Sequence, residues 1–562
     1  APAPVMKCIF ILLLAGAMAH AETWDRLVDR YFDEAVFRYN PSAATTNGFH
    51  SFDTVLEDFS QPAIQRQIAA LRAFEGEIAG FPGNPADRDL LLANIHSTLL
   101  GLESIRMWEK NPDVYSSTAS NAAFVIMSRK FAPPEERLRS LIAREKQMPK
   151  LFADARANLR NPPRIYTEVG IEQLPGILSF FESDVPLAFK DVKDRAVLDE
   201  FHQTNAAVLQ ALRSYEAWLK SDLLSRSNGD FRIGAENYRR KLLYDEMVDI
   251  PLDRLLEIGY QDLRRNQERF RETAKKIDPS KTPQQILEEA EKDHPAPDRL
   301  LQSFRDTLGG LREYITQHHL ATIPSPVLPI VEETPPFMRA LTFASLDMPG
   351  PYEKVAKEAF FNVTLPEKTW TPRAVSEHMA AFNHGVIIST AVHEAYPGHY
   401  LQGLWLSSAP SKARKLIGAN TYLEGWAHYC EQMMLDEGYG NGDLKLRLGQ
   451  LQDALLRDAR YIVGIQMHTG RMTFEQGIDF FVKEGFQTRT NGERETKRGT
   501  SDPTYLYYTL GKLEILKLRE DYKKARGAAF SLEEFHNRFL SQGMPPIKIV
   551  RRAMLGNDSP VL

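Results

Sequence analysis

Apolar residues recur at steps of three and four along most of the chain, the spacing that places them on one face of an α-helix. Prolines and glycines interrupt these patterns, for example at residues 82–83 and 161–163. The first half, residues 22–322, is therefore predicted to be a helical body. Its separate histidines, His50, His96 and His202, are interpreted as structural or surface residues because none has partners nearby in the sequence. Helical patterns cover residues 61–81, 87–103, 135–159, 197–224, 252–277 and 298–317.

The pattern changes at residue 323, where prolines become frequent. Three short runs rich in β-branched and aromatic residues, 327–332, 339–344 and 359–364, are typical of strands. They predict one small β-sheet within residues 323–370, and an edge strand there would suit peptide binding by strand addition. The alternative is a proline-stiffened linker between two helical halves.

Helical patterns return in the last region, residues 371–562. Thr371-Pro372 has the sequence of an N-cap and first helical turn. Residues 386–392 are apolar on all sides, which predicts a buried helix. The fold class expected is thus mainly α with one small sheet. Further predicted elements are a long amphipathic helix over residues 444–466, a capping box at Thr473-x-x-Gln476, a loop over the charged residues 491–498 and a helix over residues 503–522.

Composition excludes some classes of function. The chain has 562 residues, 43% of them hydrophobic and 25% charged, and a net charge of -5. A charge this small, spread over this length, gives no electrostatic basis for binding nucleic acid.

The N-terminal segment has the features of a secretory signal peptide. A lysine precedes an apolar run over residues 8–15, and a small-x-small site predicts cleavage after Ala21. The run is too short for a membrane span, which needs about 20 apolar residues. Residues 1–5 precede Met6, the expected start, and no cysteine follows the lipobox-like Leu-Ala-Gly, so neither a lipid anchor nor stable membrane insertion is expected. Because Cys8 would leave with the signal, Cys430 would be the remaining thiol of a periplasmic or secreted protein without disulfides.

The candidate chemistry centres on HEAYPGH, residues 393–399. Neutral imidazoles bind zinc, and a neighbouring carboxylate can accept a proton from zinc-bound water. His393 and His399 would be splayed by roughly 120° on a straight helix, but Pro397 and Gly398 can end the helix between them. We therefore predict that His393 and Glu394 end a helix and that His399 returns to the same metal from the next segment. The alternative is a buried helix end with two hydrogen-bonded histidines.

Catalytic zinc sites keep three protein ligands, so a third ligand is expected elsewhere in the sequence. Glu424, His428 and Glu431 are spaced so that they share one helical face. Burying these groups among apolar neighbours would be costly without a partner, which a metal would supply. The alternative is a solvated polar face.

Three segments together resemble the bacterial domain-of-unknown-function 885 family. They are HEAYPGHYLQ (residues 393–402), LEGWAHYCEQ (residues 423–432) and RGTSDPTYLYYTLGKLEILKLRE (residues 498–520), and the similarity extends to residues 41–53. The second segment is also similar to the Glu-Gly-Phe-Ala segment of gluzincin aminopeptidases, in which the glutamate is the third zinc ligand.

The resemblance implies a large, multi-helical, zincin-like metallopeptidase. It assigns His393, His399 and Glu424 as zinc ligands and Glu394 as general base. His428 departs from the family pattern, in which we expect an aliphatic residue. It is therefore expected to lie beside Glu431 behind the ligands, or to replace Glu424 on the metal.

The same resemblance makes candidates of three residues that would otherwise be interpreted as core aromatics or solvated charge. Tyr508 is the expected oxyanion donor, with His468 assisting it, and Arg498 is expected to hold a substrate carboxylate.

The function expected is that of an exported zinc-dependent metallopeptidase that hydrolyses amide bonds in short peptides. One alternative is a zinc amidase that acts on a non-peptide or cell-wall amide. The other is a non-catalytic periplasmic binding protein with a structural metal site.

Overall fold

The computed structural model describes residues 22–335, 339 and 343–562. The predicted signal peptide lies outside this range, as do residues 340–342 of the predicted second strand. Within the described range, no helix combines the length and apolar character that a membrane crossing requires. The chain is mainly α-helical, as predicted.

The N-terminal region begins many of its helices at side-chain caps. Ser60, Asn84 and Asp194 each accept a hydrogen bond from a backbone N–H in the first turn of the helix that follows. Four short π-helical turns extend or join the helices, at Phe32–Phe37, Gly101–Ile105, Phe180–Asp184 and Leu219–Leu223. The helices are α1 Trp24–Tyr31, α2 Pro41–Asn47, α3 Gln61–Gly80, α4 Pro85–Leu100, α5 Met107–Lys110, α6 Asp113–Met127, α7 Pro134–Glu145, α8 Met148–Asn158, α9 Arg164–Ser179, α10 Val185–Ala188, α11 Arg195–Trp218, α12 Gly234–Glu246, α13 Leu252–Ile277, α14 Pro283–Ala290 and α15 Leu300–Gln317.

The proline-rich region contains the predicted small sheet, rather than a plain linker. Its strands are β1 Ile330–Glu333, β2 Ala344–Asp347 and β3 Phe360–Val363. The strand order is β1-β3-β2, with β1 parallel and β2 antiparallel to β3. Tyr400, one residue after His399, donates a hydrogen bond of 2.8 Å to the carbonyl of Val327, just before β1. The sheet therefore lies near the histidine motif.

The C-terminal region begins as its cap signals predict. Thr371 caps the helix that starts at Pro372, and Thr473 and Gln476 form a complete capping box. The helices are α16 Pro372–Ala381, α17 His384–Glu394, α18 His399–Leu406, α19 Lys412–Leu416, α20 Asn420–Asp436, α21 Leu444–His468, α22 Phe474–Lys483, α23 Arg489–Ser501, α24 Tyr507–Arg526, α25 Leu532–Leu540 and α26 Ile547–Leu555.

The prediction of a loop over residues 491–498 is wrong, because these residues belong to α23. Thr488 caps this helix through the N–H of Asn491. Glu495 is buried and accepts two hydrogen bonds from Arg460 of α21, of 2.6 and 3.0 Å. A tertiary ion pair therefore holds a helix that has no apolar stripe in its sequence.

The N-terminal and C-terminal regions share hydrophobic cores. Phe304 and Leu308 of α15 pack in one cluster with residues of β3, α17 and α20. Tyr238 of α12 packs with Tyr461 of α21, and Ile549 of α26 packs among residues of α1 to α4. The helices that carry the histidine motif are therefore supported by both regions.

Two glycines permit a close crossing of α20 and α24. A Cβ atom on Gly425 would lie 2.6 Å from the Cα of Gly511, and one on Gly511 would lie 2.1 Å from the carbonyl oxygen of Thr421. Only glycine fits at such a backbone contact. The crossing fixes the helix that carries Glu424 against the helix that carries Tyr508.

Candidate metal centre

The chain reverses sharply between the two motif histidines. Helix α17 ends at Glu394, and α18 begins at His399. The N–H of Gly398 donates a hydrogen bond of 3.0 Å to the carbonyl of Val392. A Cβ atom on Gly398 would lie only 1.9 Å from the carbonyl oxygen of His393, so the turn requires glycine. The helix thus ends between the histidines as the sequence predicts.

Three side chains converge where α17, α18 and α20 meet. The Oε2 atom of Glu424 lies 3.2 Å from Nε2 of His393 and 3.5 Å from Nε2 of His399. The two imidazole rings are nearly perpendicular, with centroids 5.0 Å apart. Within the described part of the chain, these residues are the one group of three or more histidine, cysteine, aspartate or glutamate residues whose donor atoms all lie within 4.8 Å of one another.

The outer nitrogen of each histidine is held by its own acceptor. Nδ1 of His393 lies 2.7 Å from Oε1 of Glu431, and Nδ1 of His399 lies 2.9 Å from Oε1 of Gln402. The amide of Gln402 is oriented by hydrogen bonds that its Nε2 donates to the carbonyls of Tyr422 and Leu423. With the proton on Nδ1, each Nε2 presents a lone pair towards Glu424, which is the usual arrangement of metal-binding histidines.

A cation fits this donor set. Burial lowers the pKa of His393, but hydrogen bonds to Glu424 and Glu431 outweigh burial and raise that pKa well above its usual value. Burial raises the pKa of Glu424, but both histidines outweigh it and bring the pKa far below its usual range. The carboxylate therefore favours positive charge between itself and the imidazoles. A metal ion bound to two neutral histidines and one carboxylate would supply that charge.

Glu394 lies beside this cluster without joining it. Its side chain is half-buried at the end of α17, and it forms no hydrogen bond or ion pair with other described residues. A carboxylate with free acceptor oxygens can accept a proton, so Glu394 remains the candidate general base beside this cluster.

His428 lies behind the cluster. Its Nδ1 is 3.0 Å from Oε2 of Glu431, so Glu431 connects His428 with His393. His428 is fully buried, its Nε2 has no hydrogen-bond partner among the described residues, and burial lowers its pKa to about 4. Glu424 and His428 are the two candidates for the third ligand position, and the structure places Glu424 beside the two motif histidines.

The structure gives His468 different partners from those expected. Its Nε2 donates a hydrogen bond of 2.7 Å to the carbonyl of Gly499, and its Nδ1 accepts one of 3.3 Å from the N–H of Ile233. The ring is fully buried and packs against Phe231 and Tyr238. Because both nitrogens bind backbone groups, His468 joins α21 to α23 and to the chain before α12, and the expected assistance to Tyr508 has no support in this placement.

Tyr508 and Arg498 do lie together. The ring of Tyr508 has the guanidinium carbon of Arg498 5.9 Å from its centroid, with those of Arg457 and Arg460 at 5.4 and 5.1 Å. Arg498 already binds Asp502 through two nitrogens at 3.3 Å, so its expected role of holding a substrate carboxylate has no support in this placement.

Two site residues were not found by sequence reasoning. Gln402 follows His399 by three residues on a helix, and this spacing could have indicated a contact. Arg457 lies on α21, with its Nη2 3.8 Å from Oε1 of Glu431, and no local pattern connects the two.

Fold and site together define a mainly α-helical protein with a cluster of two histidines and one glutamate where three helices meet. The chain belongs to the family described as "Bacterial protein of unknown function (DUF885)", which it matches over residues 41–554. No curated protein matches it.

Solved structures share the fold, among them the following two. A protein from Shewanella oneidensis, described as a candidate lipoprotein of unknown function, has a TM-score of 0.81 and 27% identity, and the match covers 95% of this chain and 100% of that one. A candidate lipoprotein from Colwellia psychrerythraea has a TM-score of 0.80 and 20% identity, with coverage of 94% and 98%.

Proposed function

We propose that this protein is an exported zinc-dependent metallopeptidase of the gluzincin type that hydrolyses peptide bonds in short peptides. The observation that carries the proposal is the convergence of Nε2 of His393, Nε2 of His399 and Oε2 of Glu424. Two imidazoles and one carboxylate are the ligand set of several catalytic zinc sites.

The number of ligands favours a catalytic site over a structural one. Structural zinc sites are closed by four protein ligands, whereas catalytic sites keep three and leave one position open. The clustered group has three members among the described residues. When bound, zinc would lower the pKa of a water molecule and polarise the carbonyl of the scissile bond.

The surrounding residues have distinct roles in this proposal. Glu394 accepts a proton from the attacking water and passes it to the leaving nitrogen. Glu431 and Gln402 hold the histidine rings in orientation. Tyr508 donates a hydrogen bond to the oxygen that gains negative charge in the transition state.

The exported location is supported by the predicted signal peptide. It also agrees with the description of both structurally similar proteins as candidate lipoproteins.

Metal analysis of the purified protein, together with digestion of a peptide library, tests the proposal. We expect about one zinc per chain and cleavage of short peptides. Glu424→Ala should lose both metal and cleavage, whereas His428→Leu, on the same helix, should keep its zinc.

A zinc-loaded protein that leaves every peptide intact would favour the amidase or binding-protein alternatives. Zinc lost from His428→Leu but kept by Glu424→Ala would show that the ligand assignment is wrong.

A further inference from the structure

Arg457 differs from its neighbours in how its hydrogen-bond donors are used. The three guanidinium groups of Arg457, Arg460 and Arg498 surround the ring of Tyr508. Arg460 donates to Glu495 through two nitrogens, and Arg498 donates to Asp502 and to the hydroxyl of Tyr507. The side chains of Arg460 and Arg498 are therefore already hydrogen-bonded to other residues of the protein.

Arg457 has one hydrogen bond with the described residues, a contact of 3.3 Å from Nη1 to the carbonyl of Asp453. Its Nε is buried without a partner. The side chains of Glu431 and Asp453 lie 3.8 and 3.6 Å from its terminal nitrogens, beyond the length of a normal hydrogen bond. The terminal nitrogen Nη2 therefore has no hydrogen bond of normal length with the described residues and can donate to another group.

We propose that Arg457 binds the C-terminal carboxylate of the peptide substrate, so that short peptides with a free C-terminus are the preferred substrates. This inference rests on the proposed peptidase function. A guanidinium binds a carboxylate through two parallel hydrogen bonds, and the two terminal nitrogens of Arg457 carry the N–H groups that such a pair requires.

The position of Arg457 agrees with this role. One carboxylate oxygen of Glu431 and the imidazole ring of His393 separate its guanidinium from Nε2 of His393, the atom that faces Glu424. One or two extended peptide residues, at about 3.5 Å each, can span the distance from the guanidinium to Nε2 of His393. A donor to the oxyanion would have to be closer, because it must reach the scissile carbonyl itself.

The side chain of Arg457 is partly accessible to solvent. The side chain of Arg457 is 14% exposed and that of Asp453 is 40% exposed. Asp453 and Glu431, the two carboxylates nearest to Arg457, line a cavity of about 660 Å³ whose walls include residues of α17 and α21. A substrate carboxylate would thus meet a partly buried cation, at which charge-assisted hydrogen bonds are little screened.

A matched pair of peptides, one with a free C-terminus and one amidated, tests the inference. Arg457→Met keeps the length of the side chain but removes the charge and the donors. In the zinc-loaded protein it should raise the Michaelis constant about 10- to 100-fold for the free peptide and leave the amidated one nearly unchanged. Arg498→Met, at the neighbouring arginine that is already paired, is the control and should not produce this selectivity. Arg457→Lys keeps the charge without the fork and should fall between wild type and Arg457→Met.

Calorimetric binding of the same peptides to zinc-loaded Glu394→Gln gives a readout that does not depend on turnover. There, adding Arg457→Met should weaken the free peptide alone. Equal effects on both peptides, or a selective loss in Arg498→Met but not in Arg457→Met, would overturn the inference. If wild type cleaves neither peptide but Arg457→Met selectively weakens binding of the free one, the peptidase proposal fails while the carboxylate site stands.

Discussion

The Oε1 atom of Glu431 lies 2.7 Å from the Nδ1 atom of His393, although 38 residues separate the two in the chain. The second oxygen of Glu431 lies 3.0 Å from Nδ1 of His428. A single buried carboxylate therefore fixes the ring of one proposed ligand and accepts a hydrogen bond from the histidine behind it. Its charge also raises the basicity of the His393 nitrogen that faces Glu424.

Glu431→Gln should lower zinc affinity about 10- to 100-fold, because an amide has one acceptor oxygen and no charge to offer the two histidines. Competition with a chelator of known affinity measures this. Gln432→Ala changes the next residue, whose amide bonds Asp436 at the surface, and should leave affinity unchanged. Wild-type affinity in Glu431→Gln would show that Glu431 does not support the metal centre.

Gly511→Ala should destabilise the fold by about 1–3 kcal/mol, because the added methyl group would overlap the backbone of α20. Alanine is otherwise favoured over glycine within a helix by up to about 1 kcal/mol. Gly76→Ala provides the control, since Gly76 lies in α3 with no atom near its missing Cβ, and it should stabilise the fold slightly. Urea unfolding measures both. Equal effects of the two substitutions would mean that α20 and α24 do not cross closely.

His468 should make stability depend on pH. Burial lowers the pKa of His468 to about 4, so the folded protein holds it neutral at pH values where the unfolded chain protonates it. The contribution of neutral His468 to the free energy of unfolding is complete above the pKa of the unfolded state, about 6.5. It is lost as the pH falls towards 4.

His468→Gln should therefore be less stable than wild type at pH 7.5, because it loses at least one buried hydrogen bond. The difference in the free energy of unfolding between wild type and variant should be roughly 2 kcal/mol smaller at pH 5, because only the wild-type histidine titrates. Urea unfolding of wild type and variant at both pH values measures this difference. A difference in stability that does not depend on pH would contradict the lowered pKa of His468. Wild-type stability of the variant at both pH values would show that His468 does not stabilise the fold.

The sequence predicts those features that local chemistry controls. Cap residues such as Thr371 and Thr473 mark helix starts correctly, and Gly398 marks the reversal between the two histidines. Helix α23 could not be predicted, because its residues are polar and its support is the buried pair of Glu495 with Arg460, a distant residue. Helix α9 contains Pro175 within its length, which a local reading treats as a break.

The candidate site divides in the same way. The spacing of Glu424, His428 and Glu431 places them on one helical face, but sequence alone could not decide which of them meets the histidines. That choice depends on where α20 crosses α17 and α18. Arg457 and the backbone partners of His468 are set by long-range packing, for which the sequence carries no local signal.

The most direct test of the central claim measures zinc content and peptide hydrolysis in Glu394→Gln. This substitution keeps the size of the side chain but removes the group that accepts a proton, and it leaves His393, His399 and Glu424 in place. We predict about one zinc per chain and a loss of turnover on the order of a hundredfold or more. A variant that keeps full activity, or that loses its zinc, would contradict the account of a metallopeptidase with Glu394 as its base.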